Sequence, residues 1–213
     1  MGGIKLYTLA SPSHLQLLTD YFTPSVNRIG EYDLHVMTCK QYGSSNYGTS
    51  EFNSAMYQKL KLLHEMAQIP DKYALYSDCD MVFLRETAQD LIDRIGDKDA
   101  LFQWDRTELC AGFIFMRPSD KVSAYFEHCL KNMNPEKEGD QAPINRYSDM
   151  IMHNTLPMEY FNISFTHGAR LYHKGDTVNI PTGIRIFHAN WTIGVENKAE
   201  LLKLAMIHHD TAH

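Results

Sequence analysis

Two carboxylates interrupt an apolar stretch about a third of the way along the chain. The stretch covers residues 73–84, with Asp78 and Asp80 near its centre. In one extended, buried strand, residues two apart point to the same side, so both carboxylates would converge. Burying two like charges together is costly unless a cation lies between them, and hard oxygen ligands favour a divalent metal. We therefore predict a metal site here; the alternative is an ordinary turn.

The elements that must position this pair alternate along the chain. The apolar patterns predict strands over residues 4–10, 34–39, 73–84, 100–104, 112–116, 160–165 and 183–189. They predict helices near residues 15–18, 52–68, 91–95, 121–133 and 142–154, and a closing helix from about 196. This alternation predicts an α/β protein with an open, mostly parallel sheet, which binds ligands at the carboxyl ends of its strands.

Composition limits the classes of function. A chain of 213 residues with 44% apolar and 22% charged residues is typical of one globular domain. A net charge of −6, without a basic run, argues against a nucleic-acid partner. Four scattered cysteines without a Cys-x-x-Cys pair favour a reducing compartment. We see no signal peptide, myristoylation signal or membrane-spanning run, so we expect a cytoplasmic, unanchored protein.

A polar loop over residues 42–50 carries two tyrosines, Tyr42 and Tyr47. It reads equally well as a surface loop and as a lid that contacts substrate.

The residues around the carboxylate pair resemble a known family. Residues 76–83, preceded by a helix containing Lys59, are similar to the metal-binding motif of glycosyltransferases with the GT-A fold. Three further motifs follow in the expected order: the strand 110–117, the Asp140-Gln141 segment with Asn145, and residues 187–191 leading to Gly194 and Lys198. The resemblance spans nearly the whole chain and is closest to the nucleotide-diphospho-sugar transferases, including the N-terminal transferase domain of chlorovirus capsid-glycan enzymes. Two departures are Cys110-Ala111 in place of Asn-Ser or Asn-Thr, and the absence of Lys-Pro-Trp after Lys198.

This resemblance implies a single GT-A domain holding a divalent metal on Asp78, Asp80 and His188. Imidazole beside carboxylates suits Mn²⁺ better than Mg²⁺. The donor would be a UDP-sugar, bound by Thr8, Leu9, Ala10, Lys59, Asp78, Cys79, Gly194 and Lys198. Without the aspartate pair, His188 would read as a core histidine and the two lysines as helix-surface charges.

An inverting reaction, favoured here over a retaining one, needs a carboxylate general base on the acceptor side. Asp140 is the first candidate and Asp105 the second; Asp140 could instead be the N-cap of the next helix. The implied function is transfer of a hexose or deoxyhexose, such as glucose or rhamnose, to a glycan or glycoprotein. In a virus this would occur in the host cytoplasm, and the chain could belong to a longer polypeptide.

Two other classes of function compete with the transferase. The Asp-x-Asp triplet also fits the nucleophile strand of haloacid-dehalogenase-type phosphatases, although that motif normally lies on the first strand. A non-catalytic module that binds sugar nucleotides is the third possibility. A phosphatase would hydrolyse simple phosphate monoesters, and a silent module would bind nucleotide without turnover.

Overall fold

The computed structural model describes residues 4–40, 49–168 and 170–211, so most of the tyrosine-bearing loop over 42–50 lies outside the described residues. Within these ranges, nine strands form two sheets. The strands are β1 (Ile4–Ala10), β2 (Tyr32–Thr38), β3 (Ala74–Ser77), β4 (Met81–Phe83), β5 (Ala100–Asp105), β6 (Glu108–Met116), β7 (His153–Thr155), β8 (Tyr160–Asn162) and β9 (Ile186–His188).

The larger sheet has six strands in the order β2-β1-β3-β6-β5-β7. Strand β1 is parallel to β2 and β3, and β5 is parallel to β7. Only β6 runs against its neighbours β3 and β5. The predicted α/β class with an open, mostly parallel sheet is therefore confirmed. The smaller sheet has the order β4-β9-β8, in which β4 is antiparallel to β9 and β8 is parallel to it.

The helices predicted near residues 15–18, 52–68, 91–95 and 121–133 and the closing helix from about 196 all form near those positions, whereas the helices Thr23–Ile29 and Ser164–His167 were not predicted. The helical elements of the described residues are the 3₁₀ turn Pro12–His14, α1 (Leu15–Leu17), the π-helical segment Leu18–Phe22, α2 (Thr23–Ile29), α3 (Ser50–Met66), α4 (Ala88–Ile95), α5 (Asp120–Asn132), α6 (Gln141–Arg146), the 3₁₀ turn Ser148–Met150, α7 (Ser164–His167) and α8 (Val195–Thr211). Thr49 caps α3 by accepting a hydrogen bond from Phe52 N.

Apolar packing holds the sheets and helices together in three clusters. Helices α3 and α5 cover one face of the larger sheet, where Leu60 and Phe126 pack near Tyr76. Phe22 belongs to a second cluster between the helical segment before β2, helix α4 and the sheets. The third cluster joins the smaller sheet to α8, through residues such as Phe187 and Leu201. The smaller sheet is thus fixed from both sides, which matters because it carries part of the site.

Three sequence predictions about elements are wrong. Residues 73–84 are not one strand: β3 ends at Ser77, and β4 begins at Met81 in the other sheet. The helix predicted over 142–154 ends at Arg146, and His153–Thr155 instead pairs with β5 as the edge strand of the larger sheet. The strand predicted over 160–165 ends at Asn162 and is followed by helix α7. Pairing with distant strands decides these boundaries, and the local residue pattern does not predict that pairing.

Within the described residues, no helix is long and apolar enough to span a membrane. The four cysteines are all described, and all four are free and buried.

Candidate active site

The two aspartates lie where the chain passes from one sheet to the other. The backbone N–H of Asp78 donates to Gly112 O at 2.8 Å, which continues the pairing of β3 with β6. The carbonyl of Asp80 accepts from Ala189 N at 3.0 Å, which begins the pairing of β4 with β9. Convergence of the two carboxylates therefore comes from this crossing between sheets and not from alternation within a single strand.

His188 completes the predicted cluster. In the pairing of β9 with β4, His188 lies opposite Met81, and Met81 directly follows Asp80 in the chain. One ligand atom from each of Asp78, Asp80 and His188 lies within 4.8 Å of the others. The structure thus brings together the three residues that the sequence nominated as metal ligands.

Gly112 on β6 forms one wall of this cluster. A Cβ atom at this position would lie 2.5 Å from His188 Cε1 and 2.9 Å from Asp78 Oδ2. Both distances are far below van der Waals contact, so any side chain would displace the imidazole or the carboxylate. The glycine therefore creates the space in which these groups approach one another.

Lys59 and Asp140 extend the cluster on the Asp78 side. Lys59 is only 2% exposed, and its Nζ lies 2.9 Å from Asp78 Oδ1 and 2.9 Å from Asp140 Oδ2. Burial alone would lower the pKa of Lys59, but the carboxylates of Asp140 and Asp78 raise it above its usual value. Burial raises the pKa of Asp140, and Lys59 opposes that shift. Lys59 is therefore a buried cation that joins two carboxylates, and not a helix-surface charge.

Asp140 occupies the N-cap position of α6, but its side chain makes no capping hydrogen bond. Helix α6 is instead tied to β6: Gln141 Oε1 accepts from Ala111 N at 3.2 Å, and Asn145 Oδ1 accepts from Leu109 N at 2.8 Å. These bonds hold the helix beside the strand that carries Gly112. The N-cap alternative is thus wrong for the Asp140 side chain.

Lys198 neutralises the other aspartate. Its Nζ donates to Asp80 Oδ2 at 2.6 Å from the first turns of α8. Burial alone would raise the pKa of Asp80, but Lys198 holds it well below its usual range, so the carboxylate is charged. Gly194, just before α8, has φ of +88°, a conformation that favours glycine. Among the described residues, the atom nearest to a Cβ at this position is Asn197 Nδ2, at 3.9 Å. Backbone conformation, and not close packing, accounts for that glycine.

The carboxylate and imidazole atoms of this cluster fit the ligand requirements of a divalent cation. Asp80 Oδ1 is buried and has no hydrogen-bond partner among the described residues, although it lies 3.4 Å from His188 Nε2. A buried, unpaired carboxylate oxygen is unfavourable unless a cation meets it. Carboxylate and imidazole ligands of this kind suit Mn²⁺ or Mg²⁺, and the imidazole favours Mn²⁺.

Asp105, the second candidate base, lies at the end of β5 and outside the set of three potential metal ligands. It is 6% exposed, and its Oδ1 accepts from Trp191 Nε1 at 2.8 Å. Both Arg106 and Trp191 have positive φ, at 61° and 52°. Two such residues beside one carboxylate indicate that its surroundings constrain the backbone.

The predicted nucleotide-binding strand end is largely buried. Thr8 and Ala10 are 0% exposed, whereas Leu9 is half-buried. Thr8 Oγ1 has no hydrogen-bond partner in the described part of the chain. Cys79, between the two aspartates, is 4% exposed, and burial raises the pKa of its thiol.

Sequence reasoning missed three polar side chains around this cluster. Tyr76 OH donates to Asp78 Oδ1 at 2.7 Å. Gln103 is 0% exposed, and its Oε1 lies 2.8 Å from His188 Nδ1. Burial lowers the pKa of His14; nearby Lys198 lowers it further, while Asp80 acts against both. Two of these could have been found from the sequence. Tyr76 stands two residues before Asp78, and Gln103 is a lone polar residue inside an apolar strand.

A family model described as nucleotide-diphospho-sugar transferase matches residues 23–202, which is most of the chain. The chain belongs to the nucleotide-diphospho-sugar transferase family. This membership supports a transferase enzyme and argues against the phosphatase alternative. No curated protein matches the chain.

Solved glycosyltransferases share the fold of this nucleotide-diphospho-sugar transferase. One involved in glycosylation of the major capsid of the virus PBCV-1 has a TM-score of 0.62 at 11% identity, covering 95% of this chain and 99% of that one. GlyE of Streptococcus pneumoniae TIGR4 has a TM-score of 0.60 at 14% identity, covering 100% of this chain. The galactosyltransferase LgtC has a TM-score of 0.58 at 13% identity, covering 94% of this chain and 96% of that one. This chain spans only 64% of the GlyE chain. At these identities the likeness establishes the GT-A fold.

Proposed function

We propose that the protein is a metal-dependent glycosyltransferase that moves a hexose or deoxyhexose from a UDP-sugar to a hydroxyl group of a glycan or glycoprotein. Glucose and rhamnose are the sugars we favour. The observation that carries the proposal is the convergence of Asp78, Asp80 and His188 beside Gly112. A module that only binds sugar nucleotides would need the same cluster, so turnover must be measured directly.

The charge balance supports a cation between protein and diphosphate. Three carboxylates (Asp78, Asp80 and Asp140) face two ammonium groups (Lys59 and Lys198), which leaves one net negative charge when His188 is neutral. That charge would repel a nucleoside diphosphate, and a divalent cation would reverse its sign. When bound, Mn²⁺ (or Mg²⁺) would act as a Lewis acid that stabilises charge on the leaving phosphate.

The chain's own residues would then bind and orient the donor. We propose that the β1 end at Thr8, Leu9 and Ala10 receives the uracil and ribose, with Asp78 and Cys79 beside them. Lys198 would meet the diphosphate from α8, next to the left-handed backbone of Gly194. Lys59 would hold Asp78 and Asp140 in place on the other side of the cluster.

We propose an inverting reaction in which Asp140 takes the proton of the acceptor hydroxyl, with Asp105 as the alternative base. Asp140 is buried close to the proposed metal ligands, but it is ion-paired with Lys59. Asp105 lies at the end of β5 in the larger sheet and accepts a hydrogen bond from the Trp191 indole. Asp105→Asn and Asp140→Asn, each assayed for transfer and for UDP affinity, separate the two: the base variant loses transfer but keeps UDP binding. NMR of the product anomer determines the stereochemistry.

The likeness in fold to the PBCV-1 enzyme supports a viral glycan as the acceptor. We further propose that residues 1–213 form one GT-A domain, alone or within a longer polypeptide. Four free thiols fit a reducing compartment such as the host cytoplasm.

The test combines nucleotide binding with turnover. UDP should raise the melting temperature with Mn²⁺ present and leave it unchanged in EDTA, since binding to the folded state stabilises it. Asp80→Asn should abolish the Mn²⁺-dependent shift and lower transfer by roughly 100-fold or more, because it removes one preorganised charge. UDP-sugar should be consumed faster with an acceptor than with water alone. An equal UDP shift in EDTA would remove the metal from the proposal, and binding without turnover over a panel of acceptors would favour the silent module.

A further inference from the structure

Gln103 is a buried side chain of the larger sheet that contacts two residues of the smaller sheet, Tyr160 and the histidine of the site. It lies on β5, is 0% exposed and makes two hydrogen bonds within the described residues. Its Nε2 donates to the backbone carbonyl of Tyr160 at 3.0 Å, and its Oε1 lies 2.8 Å from His188 Nδ1. Gln103 and His188 are 85 residues apart in sequence.

These two bonds determine where the proton sits on the imidazole. A backbone carbonyl only accepts hydrogen bonds, so the amide atom facing Tyr160 must be the nitrogen of Gln103. The amide oxygen therefore faces His188, and since it also only accepts, Nδ1 must carry the proton. In the neutral ring this leaves the lone pair on Nε2.

The Nε2 lone pair points to the carboxylates. Nε2 lies 3.4 Å from Asp80 Oδ1, the buried oxygen that lacks a hydrogen-bond partner among the described residues. Among the residues that the structure describes, the competing contact at Nδ1 is Cys110 Sγ, at 3.9 Å. A thiol donating to Nδ1 would place the imidazole proton on Nε2, but an unprotonated Nδ1 would then face the Gln103 amide oxygen, a second acceptor, at the much shorter distance of 2.8 Å.

We infer that Gln103 is a positioning residue that holds His188 as the Nδ1–H tautomer and so keeps Nε2 available to a divalent cation. This inference rests on the proposed function for the role of the cation, but the tautomer itself can be observed in the metal-free protein. A group that orients a metal-ligating histidine in this way typically changes metal affinity 10- to 100-fold when it is removed.

The first measurement is the tautomer of His188 by long-range ¹H–¹⁵N correlation NMR. The metal-free protein is raised in pH until the ring carries one proton, and His188→Gln assigns the signal. We expect the wild-type proton on Nδ1. In Gln103→Met, which fills similar volume without an acceptor, we expect it on Nε2, where Asp80 can accept it. A wild-type ring with its proton on Nε2 overturns the inference, whether or not any variant folds.

The second measurement is the affinity for Mn²⁺ alone, followed by the EPR signal of the free ion. Gln103→Met and Gln103→Glu both lose the bond to Tyr160, but only Gln103→Glu keeps an oxygen that accepts from Nδ1. We expect Gln103→Met to bind Mn²⁺ roughly 10- to 100-fold more weakly and Gln103→Glu to bind at least as tightly as wild type. Equal losses in both variants, or none in Gln103→Met, overturn the inference.

His188→Gln separates this inference from the proposed function. If His188→Gln binds Mn²⁺ as tightly as wild type, the histidine is not a ligand, and the metal assignment fails even where the tautomer is as expected. If His188→Gln weakens binding and Gln103→Met does not, His188 remains a ligand and the positioning role of Gln103 fails.

Discussion

Replacing Lys59 with methionine tests the electrostatic design of the site. The ammonium lies 2.9 Å from each of two carboxylates, Asp78 and Asp140. At an effective dielectric of about 20, each contact carries a gross attraction of about 6 kcal/mol. Most of this offsets the cost of burying the charges, so the gross figure is not the loss to expect.

The expected loss follows from what the substitution leaves behind. Methionine fills much of the lysine volume, but Asp78 and Asp140 would face each other without a cation. Removing one partner from a buried ion pair typically costs about 3–5 kcal/mol. That is a large part of the stability of an ordinary domain, about 5–15 kcal/mol. The burial-raised pKa of Asp140 should rise further without Lys59, so the loss should shrink as the pH falls and the carboxyl is protonated.

The assay is urea unfolding in EDTA and again with Mn²⁺. Lys61→Met on the same helix is the matched control, because Lys61 is exposed and should change stability by about 0.5 kcal/mol or less. Lys59→Met/Asp140→Asn should recover roughly half of the single-variant loss, since one uncompensated charge is gone. Mn²⁺ should stabilise Lys59→Met more than wild type. If Lys59→Met is no less stable than Lys61→Met, the buried ion pairs do not contribute as argued.

Three further predictions concern the base, the site wall and a structural carboxylate. Asp140→Ala should depress transfer while UDP affinity, measured by calorimetry, stays nearly unchanged; a parallel loss would assign Asp140 to the donor site. Gly112→Ala should cost about 1–3 kcal/mol and weaken Mn²⁺ binding, because its Cβ would lie 2.5 Å from His188 Cε1; an unchanged Mn²⁺ affinity would contradict the packing argument. Burial would raise the pKa of Asp90, but hydrogen bonds from Arg94 and Tyr160 lower it below its usual value. The charged Asp90 therefore stabilises the folded protein above its unfolded-state pKa of about 3.9, and this stabilisation is lost as the pH falls through its folded-state pKa. Asp90→Asn should thus destabilise at pH 7 and much less near pH 3 in urea unfolding, unlike exposed Asp93→Asn on the same helix; a pH-independent difference would contradict this.

Much of the fold could be predicted from local pattern. The first strand, Ile4–Ala10, has the predicted bounds, and the long helix predicted over 52–68 forms as Ser50–Met66. Both have a periodic apolar pattern bounded by turn or capping residues, and such local signals need no distant partner. The members of the cluster were also predictable, Asp78 and Asp80 from their spacing and His188 only from the resemblance to GT-A glycosyltransferases, and the three lie together.

The tertiary structure decided how those residues meet. The apolar run around the aspartates resembles one strand, yet Asp78 pairs with Gly112 and Asp80 with Ala189, in different sheets. Residues 153–155 continue a helical pattern but become strand because β5 offers an open edge. Long-range hydrogen bonding overrides local preference in both places.

The charges and hydrogen bonds of the site were the least predictable part. Lys59 reads as a surface lysine on an amphipathic helix, and only the approach of Asp78 and Asp140 makes it a buried cation. Gln103 gives no local sign of contact with His188, 85 residues away. The sequence determines which groups are present and on which elements they lie. Their ionisation, proton positions and shared partners depend on distances between elements, and those distances exist only once the two sheets and α8 have packed together.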